Sequence, residues 1–259
     1  MILDKIVETK KEEMAALKKA TSIATLEGVI AGLAPCRDFR KAISEADCAI
    51  IAEVKCASPS RGRLVEHFSP LDIAKIYEQN GAAAISVLTD ETYFCGRKDY
   101  LTQIRSEAGI PVLRKDFIID ALQVYETRAI GADAILLIVR VLKARLAEFI
   151  ALSKEAGLSP LVEVHTQDEL DEALAANAEI IGINNRNLDT FVTDINTSRD
   201  LKKNIPAGIT VVAESAIKDR ADIEYLTAAG IHAFLIGEGL MTSTDIGNQL
   251  RSFLKEGKE

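Results

Sequence analysis

The sequence predicts an α/β fold: a (β/α)8 TIM barrel with an N-terminal helical extension. Eight short apolar runs alternate with helix-patterned segments along 259 residues, close to the roughly 250 residues typical of one such barrel. The runs are nearly continuous in Ile, Val and Leu, which marks strands buried on both faces of a parallel sheet. Charged side chains recur late in these runs, where a buried strand avoids charge unless the charge has a task or a partner. The pattern describes one polar site built from many strands at the C-terminal face of a barrel.

Residues 1–259 are expected to form one barrel domain, with 1–48 as a helical extension over the barrel mouth. Helix character covers 2–20 and 26–33. Strands are expected at 49–55, 83–89, 111–115, 134–139, 160–164, 180–184, 210–215 and 233–237. Between them, 70–81, 121–131, 166–176 and 218–230 read as helices. Ile73, Ile76 and Tyr77 keep helical spacing, as do Leu122, Tyr125 and Ala129. Pro70 suits a first helical turn, and Gly81 and Gly131 stand where helices end in a left-handed residue. This alternation gives a parallel sheet with helical cover. The long loops 56–69 and 182–194 follow strands one and six, on the face where such loops carry function.

Composition narrows the function classes. Hydrophobic residues make up 48% and charged residues 27%, enough for a large core and against disorder. The net charge is −8, from 31 basic and 39 acidic residues, which speaks against a nucleic-acid partner. A locally positive site for an anionic small ligand remains available through Lys55, Lys115 and Arg186. Cys36, Cys48, Cys56 and Cys95 form no CxxC pair, and His67, His165 and His232 are scattered singly, so no metal site is expected. The cysteines read as reduced thiols of a cytoplasmic protein. The N-terminus lacks the apolar core of a signal peptide. The longest apolar stretch, 134–139, is far short of a membrane span, so no membrane partner is expected.

Glu53 and Lys55 stand two apart on strand one and point to the same face. Alone, they would read equally as an ion pair plugging the barrel. Lys115 on strand three and Glu163 on strand five add two more charges at the same mouth. Mixed Lys and Glu in a partly dry pocket can hold one lysine near its acidic limit and one glutamate protonated or poised, which suits general acid–base work. Asn184 and Ser215 offer neutral hydrogen-bonding groups, and Arg186 can grip a carboxylate bidentately. Ser58, Pro59 and Ser60 after strand one, with Gly237, Glu238 and Gly239 after strand eight, suggest an anion cradle of backbone N–H groups. Phe94, beside Tyr93, offers an apolar wall for an aromatic ring. Glu214 is expected to point away from the site, by alternation with Ser215. His165 is taken as structural.

On these residues alone, a Schiff-base aldolase using Lys55 or Lys115 as nucleophile is a second reading. A non-catalytic barrel kept as a scaffold is a third. The intact set Glu53, Lys55, Lys115, Glu163, Asn184 and Ser215 speaks against the scaffold, since nothing structural needs all six.

The stretches EVKCASPSRG, HFSPLDIAKIYEQNGAAAISVLTDETYFCG, VLRKDFIID, LVEVHT, IIGINNRNLDTF, VVAESAI and FLIGEGLM resemble, in content and order, the indole-3-glycerol-phosphate synthase family of tryptophan biosynthesis. The resemblance implies ring closure of 1-(2-carboxyphenylamino)-1-deoxyribulose 5-phosphate with loss of carbon dioxide and water, without metal or organic cofactor. It makes other tryptophan-pathway enzymes the candidate protein partners. It implies Lys115 as general acid on the substrate carbonyl and Glu163 as the carboxyl moving protons during dehydration. Lys55 would handle the substrate carboxylate or itself act as a general acid, the resemblance leaving the division of acid roles between the two lysines open, and Glu53 would orient and tune both. Asn184 and Arg186 would bind the anthranilate portion, and Ser215 the sugar. Ser58, Gly237 and the backbone N–H of Glu238 would hold the phosphate. After strand seven the family usually reads ESG, with that glycine's N–H on the phosphate; here the position is Ala216. Gly239 stands where relatives often carry serine.

Overall fold

The structure is a computed structural model that describes residues 2–59, 61–187 and 190–254. Ser60 of the expected anion cradle, and residues 188 and 189 of the loop after strand six, lie outside the described residues.

Eight strands close into a parallel barrel: β1 (Ala49–Val54), β2 (Ala84–Leu88), β3 (Val112–Lys115), β4 (Ala134–Ile138), β5 (Ser159–Val164), β6 (Ile180–Asn184), β7 (Thr210–Glu214) and β8 (Ala233–Ile236). Each pairs with its sequence neighbours, and β8 closes on β1 with Ala49 opposite Ala233. Every strand lies within two residues of its expected span. The expected strands that ran past the sheet, at Lys55, Ser215 and Gly237, end earlier because those residues belong to the turns of the mouth.

Alternation along each strand divides two apolar regions. Ile51, Leu113, Leu136, Leu161, Val212 and Leu235 point inward and fill the barrel. Ile50, Ile85, Val112, Ile135, Val162 and Phe234 point outward and meet the helices. The helices form where the apolar spacing predicts, for example at Pro70–Gln79 and Ala121–Ala129. Gly81 and Gly131 follow them with φ of 93° and 96°, the left-handed stop that glycine takes most readily.

The extension contains three helices: α1 (Ile2–Ala20), α2 (Ile23–Ile30) and α3 (Phe39–Ser44). The last was not anticipated. Asp38 caps it by accepting from the Lys41 N–H, and Phe39 and Ile43 pack into the barrel interior among residues that begin the strands. Helix α1 crosses the opposite end, where Ile2, Leu3 and Ile6 form part of the wall of the main cavity. The long loop after β1 contains a small antiparallel pairing of Ala57–Ser58 with Gly62–Arg63.

Candidate active site

The C-terminal ends of the strands enclose a cavity of about 530 Å³. Its wall includes Glu53, Lys55, Ser58, Phe94, Lys115, Glu163, Asn184, Arg186, Ser215, Ala216, Gly237 and Glu238. All twelve expected site residues therefore share one space, because each follows the inward register of its strand or lies on a loop or short helix that follows a strand end.

Lys115 ends β3 and reaches across the barrel. Its Nζ lies 2.6 Å from Glu214 Oε2 and 3.3 Å from Glu163 Oε2. Lys55 forms a separate pair, 2.5 Å from Glu53 Oε1. Glu53 thus contacts Lys55 directly and acts on Lys115 through the field of its charge.

The expectation for Glu214 is overturned. It points into the cavity rather than away from it. Glu214 belongs to the inward set of β7 with Val212. Ser215 also reaches the cavity, because it has left the strand: Ser215 and Ala216 both have φ of 64°, so simple alternation no longer applies. Asn185, itself buried, braces this turn by donating from Nδ2 to the Ser215 carbonyl at 3.2 Å.

Two glycines make room for the carboxylates. A Cβ at Gly182 would stand 2.1 Å from Glu214 Oε1, and one at Gly237 would stand 2.3 Å from Glu53 Oε1. Neither position tolerates a side chain while those acids keep their places. Counting the inward register of β6 from Ile180 through Gly182 to Asn184 could have revealed the first of these gaps.

The electrostatics follow from burial and neighbours. Burial pushes Glu214 up to about 7, and the negative charge of Glu163 adds to this against the pull of Lys115. Burial alone would draw Lys115 down, but Glu214, Glu163 and Glu53 outweigh it and hold the ammonium above the usual lysine range. Burial likewise opposes ionisation of Glu53, yet Lys55 and Lys115 hold that carboxyl below its ordinary value. The poised group is therefore a glutamate, whereas Lys115 is the reverse of a lysine at its acidic limit.

The rim carries aromatic, guanidinium and amide groups. Phe94 and Phe117 stand with ring centroids 6.0 Å apart and both line the cavity. Arg186 Nη2 lies 3.3 Å from Glu238 Oε2, whose other oxygen meets Arg61 at 2.9 Å. Asn184 Oδ1 accepts from the Arg186 N–H at 3.0 Å. His165, which does not line the cavity, is fastened with Nδ1 2.6 Å from the Asn184 carbonyl oxygen. Gly237 and Glu238 form the turn into the short helix Glu238–Met241 after β8. Among the described residues, no group of three or more His, Cys, Asp or Glu is arranged to hold a metal ion. Among the same residues, no helix is long and apolar enough to cross a membrane.

A closed (β/α)8 barrel with charged side chains gathered at the C-terminal ends of its strands has the architecture on which enzyme sites are built. Residues 3–253 match the family model described as indole-3-glycerol phosphate synthase, and the chain belongs to that family. The indole-3-glycerol phosphate synthase of Chlorobium chlorochromatii is 51% identical over 248 residues, covering 94% of this chain and 96% of the relative. That of Desulforamulus reducens is 44% identical over 260 residues, covering 99% and 98%. Among solved structures, a 3-hexulose-6-phosphate synthase superposes with a TM-score of 0.65 at 13% identity, covering 79% of this chain and 97% of that one. A thiamine phosphate pyrophosphorylase from Pyrococcus furiosus superposes with a TM-score of 0.62 at 15% identity, covering 84% and 96%. These two share the fold.

Proposed function

We propose that the chain is a decarboxylating carbon–carbon lyase of tryptophan biosynthesis. It converts 1-(2-carboxyphenylamino)-1-deoxyribulose 5-phosphate to indole-3-glycerol phosphate, carbon dioxide and water. The observation that carries this reading is the pairing of Lys115 with Glu163 and Glu214 in one cavity, in a chain of this family.

The chemistry asks for an acid at the ketone oxygen while the ring carbon bearing the carboxylate attacks the carbonyl carbon. Lys115 supplies it. An ammonium held firmly protonated by three carboxylates is a weak acid in the resting site, but its hydrogen bond strengthens as negative charge grows on the ketone oxygen. The new carbon–carbon bond leaves an alkoxide, which takes the proton. The bond to the carboxylate then breaks, its electron pair returns to the ring and carbon dioxide departs. Loss of the resulting hydroxyl as water needs a further proton transfer, and Glu163 is the group we assign to it. Glu214 orients Lys115 and, titrating near neutrality, can return a proton to it.

Lys55, steered by Glu53, is placed to meet the substrate carboxylate. Arg186 and Asn184 flank the same portion, and Phe94 lies against the ring. Ser215 serves the sugar hydroxyls. The phosphate falls to Ser58 and to the backbone N–H groups of Ala216, Gly237 and Glu238, where the left-handed Ser215–Ala216 turn meets the end of β8. We assign the enzyme to the cytoplasm, acting on this small phosphorylated substrate, with enzymes of the same pathway as its candidate partners.

The test is emission. The chain contains no Trp, so indole fluorescence that grows after addition of the substrate comes from product. A folded protein giving no such signal at high substrate concentration overturns the reading. Borohydride reduction in the presence of substrate separates the aldolase alternative, because only an imine is trapped on lysine.

A further inference from the structure

The buried stripe of α1 runs through Leu3, Ile6, Lys10 and Met14, the spacing of one helix face. Three members are apolar. The fourth is a lysine only 1% exposed, at a position where an apolar side chain would satisfy packing by itself. Its ammonium lies 2.8 Å from Asp90 Oδ2, 3.0 Å from Asp116 Oδ1 and 2.8 Å from Glu13 Oε2.

The two aspartates lead directly to the site. Asp90 accepts from the backbone N–H groups of Tyr93 and Phe94 at 2.7 and 3.2 Å, which fixes the turn carrying the aromatic wall. Asp116 follows Lys115 in the chain and is gripped from the barrel side by Arg114 Nη2 at 3.0 Å and the Thr89 hydroxyl at 2.6 Å. One ammonium of the extension therefore holds both segments that deliver Phe94 and Lys115. A weaker tie runs beside it, between the hydroxyls of Thr9 and Tyr93 at 2.9 Å.

Apolar packing is non-directional, so Leu3, Ile6 and Met14 could dock the helix in several neighbouring settings. A buried ammonium is held only by correctly placed partners, and Lys10 meets its aspartates in one setting. We propose that Lys10 is a positioning residue of the reaction, fixing Ile2, Leu3 and Ile6 over the cavity against the backbone that presents Lys115 and Phe94. This rests on the function proposed above. Lys10 touches neither the cavity nor the reacting groups, and it acts through Asp90 and Asp116.

The experiment compares the wild-type chain with Lys10→Met and Lys10→Arg by steady-state kinetics, hydrogen exchange over residues 2–20 and thermal melting. Lys10→Met loses about a hundredfold in kcat/KM, mostly through KM, as misplacement remote from the chemistry does. Protection of residues 2–20 falls while the barrel amides stay protected. Lys10→Arg, which keeps the charge, recovers most of both losses. Unchanged kcat and KM in Lys10→Met, or a loss of activity with full protection of residues 2–20, overturns the inference. If the wild type makes no indole product while Lys10→Met still loosens the helix, the proposed substrate is wrong and the anchor stands. Should Lys10→Met fail to fold, Lys10→Gln, which keeps a donor for the aspartates, gives the same comparison.

Discussion

Glu214 Oε2 stands 2.6 Å from Lys115 Nζ, closer than Glu163 at 3.3 Å. The lysine assigned to the carbonyl is thus aligned chiefly by a strand on the far side of the barrel, and the carboxylate assigned to dehydration remains the looser partner.

Lys115→Met removes the acid and leaves two buried carboxyls side by side. Turnover is expected to fall by about a thousandfold or more, from the combined loss of proton transfer and charge stabilisation. Far-UV circular dichroism should show the fold retained. Activity within tenfold of wild type takes Lys115 out of the acid role. Glu163→Gln should produce a fall of similar kind if that carboxyl moves protons.

Glu214 gives the stability curve a sign. Its carboxyl titrates near 7 in the folded chain against an ordinary value of 4.5, so the native state holds this proton to higher pH than the unfolded chain does. The group's contribution is complete below about 4.5 and is lost as pH rises through about 7. Denaturant unfolding at pH 5 and pH 8 should show a smaller decline in Glu214→Gln than in wild type. An unchanged difference sinks the assignment.

Ala216→Gly tests the turn after β7. An alanine at φ 64° carries a left-handed penalty of about 1–2 kcal/mol, while glycine loses about 0.4–1 kcal/mol through its freer unfolded chain. The variant should gain about 0.5 kcal/mol in urea unfolding, with substrate KM equal or lower. A destabilised variant would falsify the claim of strain.

Gly237→Ala and Gly182→Ala push a methyl into Glu53 and Glu214 respectively. Each is expected to cost about 1–3 kcal/mol in stability, as overpacking does, and about a hundredfold in turnover through the displaced acid. Kinetics and melts on the same preparations check both.

The strands and most site residues could be read from sequence because inward alternation carries charged side chains to the strand ends, as with Glu53 and Glu163. The same rule misplaces Glu214 when alternation starts from Ser215, which lies in a left-handed turn outside the sheet. Lys10 escapes the sequence pattern for a different reason. Its identity suggests solvent, although its spacing from Leu3, Ile6 and Met14 places it on the buried face. The short α3 is held by packing of Phe39 and Ile43 against strands distant in sequence, and the Ala57–Ser58 hairpin is too short to give a periodic pattern.

The gaps at Gly182 and Gly237 have a consequence for heredity and for engineering alike. Each acid and its facing glycine form a two-letter unit spelled on different strands, Glu214 with Gly182 and Glu53 with Gly237. A side chain introduced at either glycine forces its facing acid to shift. Transplanting this chemistry into another barrel therefore means moving two vacancies along with the acids, and a graft of the lysines and glutamates alone would arrive with nowhere to sit.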